Sequence, residues 1–144
     1  MELSPGDTTR VYDKLVPSLS RDTQPHWDGL NEHKYLLQTC TGCGKIRHYP
    51  RPVCDACFSM QSEWIEASGH GKVHSWTITY HPFHPGWKGD LPYTMVTADL
   101  AEGVRMNAQL RGADDAVLKI GAAVRIEYEL AKEGLTLPVL RLVV

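Results

Sequence analysis

No stretch of the 144-residue chain approaches the ~20 consecutive apolar residues that carry a helix across a bilayer. A membrane partner is therefore not expected. The opening MELSPGDTTR has neither the basic stretch nor the apolar core of a secretory leader, so the expected compartment is cytoplasmic. Positive charge is also short: 15 Lys plus Arg stand against 17 Asp plus Glu, a formal charge of −2, which supplies no field to gather a phosphate backbone. A phosphate-cradling loop is missing as well, because Gly69-x-Gly71 has no third glycine and no helix after it. Thiols are absent except between Cys40 and Cys57. The length itself excludes a multi-domain catalytic machine, while 42% apolar residues suffice for a core.

The four cysteines that are present read Cys40-Thr41-Gly42-Cys43, then Cys54-Asp55-Ala56-Cys57. Each CxxC turn delivers two thiolates from one tight knuckle and points backbone N–H groups at the sulfurs, so two knuckles complete a tetrahedral shell. In a reducing compartment such a cluster reads as a metal or redox site rather than a disulfide framework. One structural zinc ion on Cys40, Cys43, Cys54 and Cys57 is the first expectation; iron in a rubredoxin-like site and dithiol chemistry are the alternatives. Four protein ligands leave no open position for water or substrate. Gly44 is placed to leave the first knuckle with positive φ, and Lys45 to Val53 suffices for a short hairpin returning to the second. Lys45, Arg47 and Arg51 read first as counter-charges to the thiolates.

From Glu63 onward the pattern changes to period-two runs separated by Gly-containing turns. Lys72 to Tyr80 places His74, Trp76, Ile78 and Tyr80 on one face and Val73, Ser75, Thr77 and Thr79 on the other. Tyr93 to Leu100, Val104 to Arg111, the run from Val124 to Leu130 and Thr136 to Val144 supply four further strands. Five strands with glycine at the corners suit a small OB-type barrel, with an SH3-like barrel as the rival. The expected fold is mainly β: an N-terminal tail and helix over residues 1–33, a zinc ribbon over 34–62, and a five-stranded OB-fold barrel over 63–144. Pro25 to His33 reads as a short helix with Trp27 and Leu30 on one face, followed by a strand from Lys34 to Thr39. Residues 1–24 lack a firm period, although Val11, Tyr12, Leu15, Val16 and Leu19 form a weak helical stripe.

The segment Tyr80 to Tyr93 joins the first two barrel strands and is rich in proline and aromatic residues. Proline lowers the entropy lost on ordering a loop, and Phe83 and Trp87 are too apolar to sit idle in water. The two readings are a contact loop that meets a partner, and a cap over the barrel end of the same chain. His81 and His84 have no third ligand at metal spacing. Lys88 is a candidate point charge for a phosphate, or else a solvated pair with Asp90.

The ordered set Tyr35-Leu36-Leu37-Gln38-x-Cys40-x-x-Cys43-Gly44, Tyr49-Pro50-Arg51-Pro52-x-Cys54-x-x-Cys57, Glu63-Trp64 and Ser68-Gly69-x-Gly71 resembles a known family. It is the zinc-ribbon plus OB-fold family long catalogued as a domain of unknown function and associated with acyl-CoA enzymes. Pro92-Tyr93, Glu102-Gly103-Val104-Arg105 and Ile120-Gly121-x-x-Val124 extend the likeness over about Trp27 to Val144. The resemblance implies an accessory subunit of a thiolase-fold enzyme (thiolase, acyltransferase or aldolase acting on CoA thioesters), while some members occur beside hot-dog-fold hydratases. It further implies a heterotetramer with two copies of each chain and a CoA thioester contacted through the partner. Claisen chemistry on such substrates needs a free, activated cysteine, and all four here are committed to metal, so no catalytic residue is expected in this chain. The expected partner or acyl-channel contacts are Phe83, His84, Trp87 and Lys88, with Trp27 and Leu30 either docking in a partner groove or packing on their own barrel. The alternative is a module binding single-stranded nucleic acid. The exposed row Arg105, Asn107, Gln109 and Arg111 carries no aromatic platform and the barrel half is acidic overall, so no nucleic acid is expected.

Overall fold

The computed structural model describes residues 12–113 and 115–143. Helix α1 spans Gln24–Asn31, with Pro25 in the first turn, where the N–H that proline lacks would have had no helical partner. Two residues past its end, His33 turns the chain with φ of 60°. Three strands follow, β1 (Leu36–Cys40), β2 (Ile46–Arg47) and β3 (Ser62–Glu66), forming one antiparallel sheet in the order β2-β1-β3. Residues 63–66 fall in the segment assigned to the barrel from sequence, though not in one of its five expected strands. β3 pairs instead with β1 throughout, from Leu36 opposite Glu66 to Cys40 opposite Ser62, and so completes the ribbon sheet. Alternation identifies a strand but not the sheet that claims it.

The remaining strands are β4 (His70–Thr79), β5 (Tyr93–Leu100), β6 (Arg105–Arg111), β7 (Ala123–Lys132) and β8 (Leu135–Leu142). They close into a barrel in the order β4-β5-β6-β8-β7. The last strand inserts between the third and fourth through a parallel pairing of Gln109–Arg111 with Val139–Arg141. This Greek-key closure is that of the OB fold. A 3-10 turn at Pro85–Asp90 lies between β4 and β5, and a shorter one at Asp115–Val117 between β6 and β7.

Two bulges change which side chains enter the core. The register of β4 against β5 slips between Val73 and Ser75, so Val73 is buried and Trp76 also packs on the core. Simple alternation had put these two residues on opposite faces. In β7 the slip between Leu130 and Lys132 buries Ala131 and leaves Leu130 45% exposed. The alternation in β6 holds throughout: Met106, Ala108 and Leu110 are buried while Arg105 and Asn107 are exposed.

One core links the parts. Leu30 of α1, together with Tyr35 and Leu37 of the ribbon segment, joins Val73, Val96, Met106, Val124 and Leu140 of the barrel in a single cluster. Leu30 is 0% exposed, so it has no free face for a partner groove; its place on the helix turns it onto this chain's own barrel, which corrects the expected docking role. Residues 12–20 form no helix. The expected stripe is therefore absent among the described residues, and Val11 lies outside them.

Candidate metal centre and the barrel mouth

β1 delivers Cys40 at its end, and the chain then turns back through Gly44, whose φ is +79° and whose N–H donates to the Cys40 carbonyl at 2.8 Å. The second knuckle repeats this arrangement, with Phe58 at φ 63° donating its N–H to the Cys54 carbonyl at 2.9 Å. The four sulfurs all lie within 4.8 Å of one another. Cys40 Sγ to Cys57 Sγ is 3.5 Å and Cys43 Sγ to Cys54 Sγ is 3.7 Å. A tetrahedral ion with metal–sulfur bonds of about 2.3 Å requires sulfurs about 3.8 Å apart, so the cage has the size of a metal site. The N–H groups of Gly42 and Ala56 point at Cys40 Sγ and Cys54 Sγ at 3.3 and 3.4 Å.

The thiols themselves favour an ion. Backbone N–H donation from Cys43, assisted by its sulfur neighbours and Gly42, lowers Cys40 to about 6. Cys57 receives a lowering bond from the Ser59 N–H, but three adjacent sulfurs push it up to about 12. Four thiolates held this close require a cation to lose their last proton. Lys45, 2.8 Å from Asp55, pairs across the two knuckles.

Behind the cage lies a buried polar pair that the sequence did not announce. Arg47 is 2% exposed and Gln38 4% exposed. Arg47 Nε donates to Gln38 Oε1 at 2.7 Å, Nη2 donates to the Arg51 carbonyl at 2.9 Å, and the Arg51 N–H donates to the same Gln38 oxygen at 2.8 Å. One amide thus fixes both ends of the loop that carries the chain from β2 toward the second knuckle.

A second cluster joins the ribbon to α1. The Tyr35 hydroxyl, kept protonated by burial, shares a hydrogen bond with His48 Nε2 at 2.7 Å, and His26 stands edge-on to Tyr35 at 5.2 Å. Next along the chain, the Tyr49 hydroxyl accepts the Asn107 N–H at 3.1 Å and pins the ribbon to β6 just before β8 begins to pair. Burial, with the nearby His26 adding to it, lowers His48 to about 3; burial also lowers His26, against a raising hydrogen bond to the Leu36 carbonyl. Both rings are therefore neutral in the fold and basic when unfolded. Their stabilising contribution is complete above the unfolded value near 6.5 and is lost as pH falls from there toward 3. The expected result is a urea midpoint that falls between pH 6.5 and 4, less steeply in His48→Gln than in the parent chain. Equal slopes would show that His48 is not the group responsible.

The loop residues expected to meet a partner separate into two groups. Phe83 is 81% exposed and Lys88 is exposed. Trp87 is half-buried and packs on Tyr93, with ring centroids 4.5 Å apart and planes inclined at 35°. His84 caps the 3-10 turn, its Nδ1 accepting the Gly86 N–H at 3.1 Å. Asp90 is held not by the neighbouring Lys88 but by Lys14, whose Nζ lies 2.5 Å from Oδ2 and 4.8 Å from the centre of the Trp87 ring. Nothing in the local sequence around Lys14 signals this contact. Trp27 is half-buried against the core and edge-on to His26. Of the outward row on β6, Arg105 is bound by Asp99 at 2.7 Å and Arg111 by Glu129 at 2.8 Å, so both guanidinium groups are already neutralised.

A rubredoxin-like ribbon set on a five-stranded OB barrel is the class of protein that this fold and site define. Residues 27–61 match the ChsH2 rubredoxin-like zinc ribbon domain and residues 64–129 the ChsH2 C-terminal OB-fold domain. A DUF35 domain-containing scaffold protein of Pyrococcus furiosus is 31% identical over 108 residues, covering 75% of this chain and 79% of that protein. The chain belongs to this DUF35 family, in its ChsH2-like form. A probable enoyl-CoA hydratase alpha subunit of Thermomonospora curvata is 33% identical over 125 residues, which are 87% of this chain but only 39% of that protein. The chain thus spans well under half of that relative's length. Among solved structures, a chain of the Ltp2-ChsH2(DUF35) aldolase superposes with a TM-score of 0.82 at 32% identity, covering 90% of this chain and 100% of that one. No helix among the described residues is long and apolar enough to cross a membrane.

Proposed function

We propose that this chain is a zinc-stabilised, non-catalytic accessory subunit that docks on a thiolase-fold enzyme acting on CoA thioesters. The observation that carries the reading is the likeness along nearly the whole chain to a component of an aldolase assembly, in a chain whose four thiols are all gathered in one closed cage. A four-thiolate site offers no open coordination position, and no thiol remains to serve as an acyl-accepting nucleophile. Zinc, rather than iron, suits a site whose role is to fold a short segment and whose family carries a zinc ribbon. Phe83 and Lys88 on the loop after β4 remain exposed and are the proposed contacts to the partner or its acyl channel. The nucleic-acid reading has no support from the outward β6 row, because its arginines are paired with carboxylates.

The test is affinity capture with the tagged chain from cells co-expressing thiolase-fold and hydratase candidates, with bound proteins identified by mass spectrometry. Retention of a thiolase-fold subunit in stoichiometric amount is expected, and Phe83→Ala should weaken it without lowering thermal stability. Retention of a hydratase alone would move the reading to that partner. Turnover of a CoA thioester by the chain alone would overturn the accessory role.

A further inference from the structure

Beside the 3-10 turn, the mouth of the barrel holds a cavity of about 400 Å³, within the size range of small-molecule pockets. Its lining includes the rings of Tyr80, Trp87 and Tyr93 and the apolar side chains of Ile78, Met95 and Leu137. Charged groups also reach it, and among the described residues the acidic ones outnumber the basic: Asp13, Asp90, Asp115 and Glu129 against Lys14 and Arg111. Both basic groups are engaged. Lys14 is bound by Asp90, with side chains 11% and 8% exposed, and Arg111 is gripped by both Glu129 oxygens at 2.8 and 3.1 Å. A carboxylate or phosphate entering here would meet carboxylates and find its cationic partners already occupied. An uncharged or cationic molecule with a flat face would meet the Tyr80 ring, which is 71% exposed, and the apolar wall of Ile78, Met95 and Leu137, while Trp87 is already packed between Lys14 and Tyr93.

One wall of this cavity is not part of the barrel. Residues 12–14 cross the mouth as a strap, and two contacts of unlike kind hold them there. The first is the Lys14 ammonium, seated between the Asp90 carboxylate and the Trp87 ring. The second is backbone packing: the Asp13 carbonyl lies so close to Gly86 that a Cβ at that position would collide with it. Beyond Lys14 the strap is held less firmly, with Leu15 72% and Leu19 50% exposed.

We propose that the barrel mouth is a small-molecule site for an uncharged or cationic planar ligand, completed by residues 12–14 as a strap that Lys14 and the bare backbone of Gly86 hold closed. The site is independent of the accessory-subunit reading, since every group in it belongs to this chain.

The test is fluorescence titration of the metal-loaded full-length chain with Nile red, a neutral planar dye, and with the anionic dye 1-anilinonaphthalene-8-sulfonate. Saturable binding of one Nile red per chain with quenching of tryptophan emission is expected, and the anionic dye should bind at least about tenfold more weakly. Lys14→Met, which keeps the aliphatic stem but removes the charge, and Gly86→Ala, which displaces Asp13 without touching any charge, should each weaken Nile red binding about tenfold. Lys14→Arg should restore most of it. Circular dichroism identifies a variant that fails to fold, and the other variant then carries the test. Absence of saturable Nile red binding, equal affinity for the two dyes, or parent-like binding by the folded strap variants would overturn the proposal.

Discussion

Cys40→Ser is expected to remove both the metal and the ribbon sheet. β2 is two residues long and β1 and β3 five each, so the sheet has little apolar burial of its own to offset the entropy of ordering its loops. A structural zinc supplies on the order of 10 kcal/mol to such segments, and a site left with three thiolates that no longer holds the ion loses that contribution. The damage should not stop at the ribbon. Cys40 ends the strand that carries Leu37, and Leu37 and Tyr35 belong to the same core cluster as Val96 and Met106 of the barrel. Metal analysis should therefore show loss of bound zinc, and hydrogen exchange should show lost protection at Leu36–Cys40 with a smaller loss in β6. Full protection of β1 in a metal-free variant would mean that the ribbon holds itself together.

Gln38→Leu is the second large effect. Leucine is close in size and apolar, so a gain would be expected if burial alone mattered. Gln38 Oε1, however, accepts from both Arg47 Nε and the Arg51 N–H, and Arg47 Nη1 is buried without a hydrogen-bond partner. The substitution strands a buried guanidinium and a backbone donor together, a loss of about 3–5 kcal/mol in urea denaturation. Adding Arg47→Met removes the stranded charge, so the double variant should recover a large part of that loss. A double variant less stable than Gln38→Leu alone would show instead that Arg47 stabilises the ribbon through some other contact.

What was legible in the sequence follows the range of the contacts. Each knuckle is made within six residues, and its turn, glycine and spacing are local, so Cys40 to Gly44 could be read directly. Alternation in β6 was equally plain because one face is buried along its whole length. The bulges in β4 and β7 were not legible, since one extra residue reverses every later side chain without altering composition. Nor was the assignment of β3, whose partner strand lies on the far side of both knuckles. The Lys14–Asp90 contact spans 76 positions and involves residue types common on any surface. The Gln38–Arg47 pair was hidden for another reason: a charged residue near metal-binding cysteines reads as a solvated counter-charge until its burial is known.

The most direct test of the central claim is native mass spectrometry of the chain mixed with its captured thiolase-fold enzyme. A complex containing two copies of each chain, with one zinc retained per copy of this one, is the expected mass, and Cys40→Ser should abolish it while leaving the enzyme's own oligomer intact. A chain that stays unassociated with every thiolase-fold enzyme offered, or that assembles equally well without its metal, would contradict it.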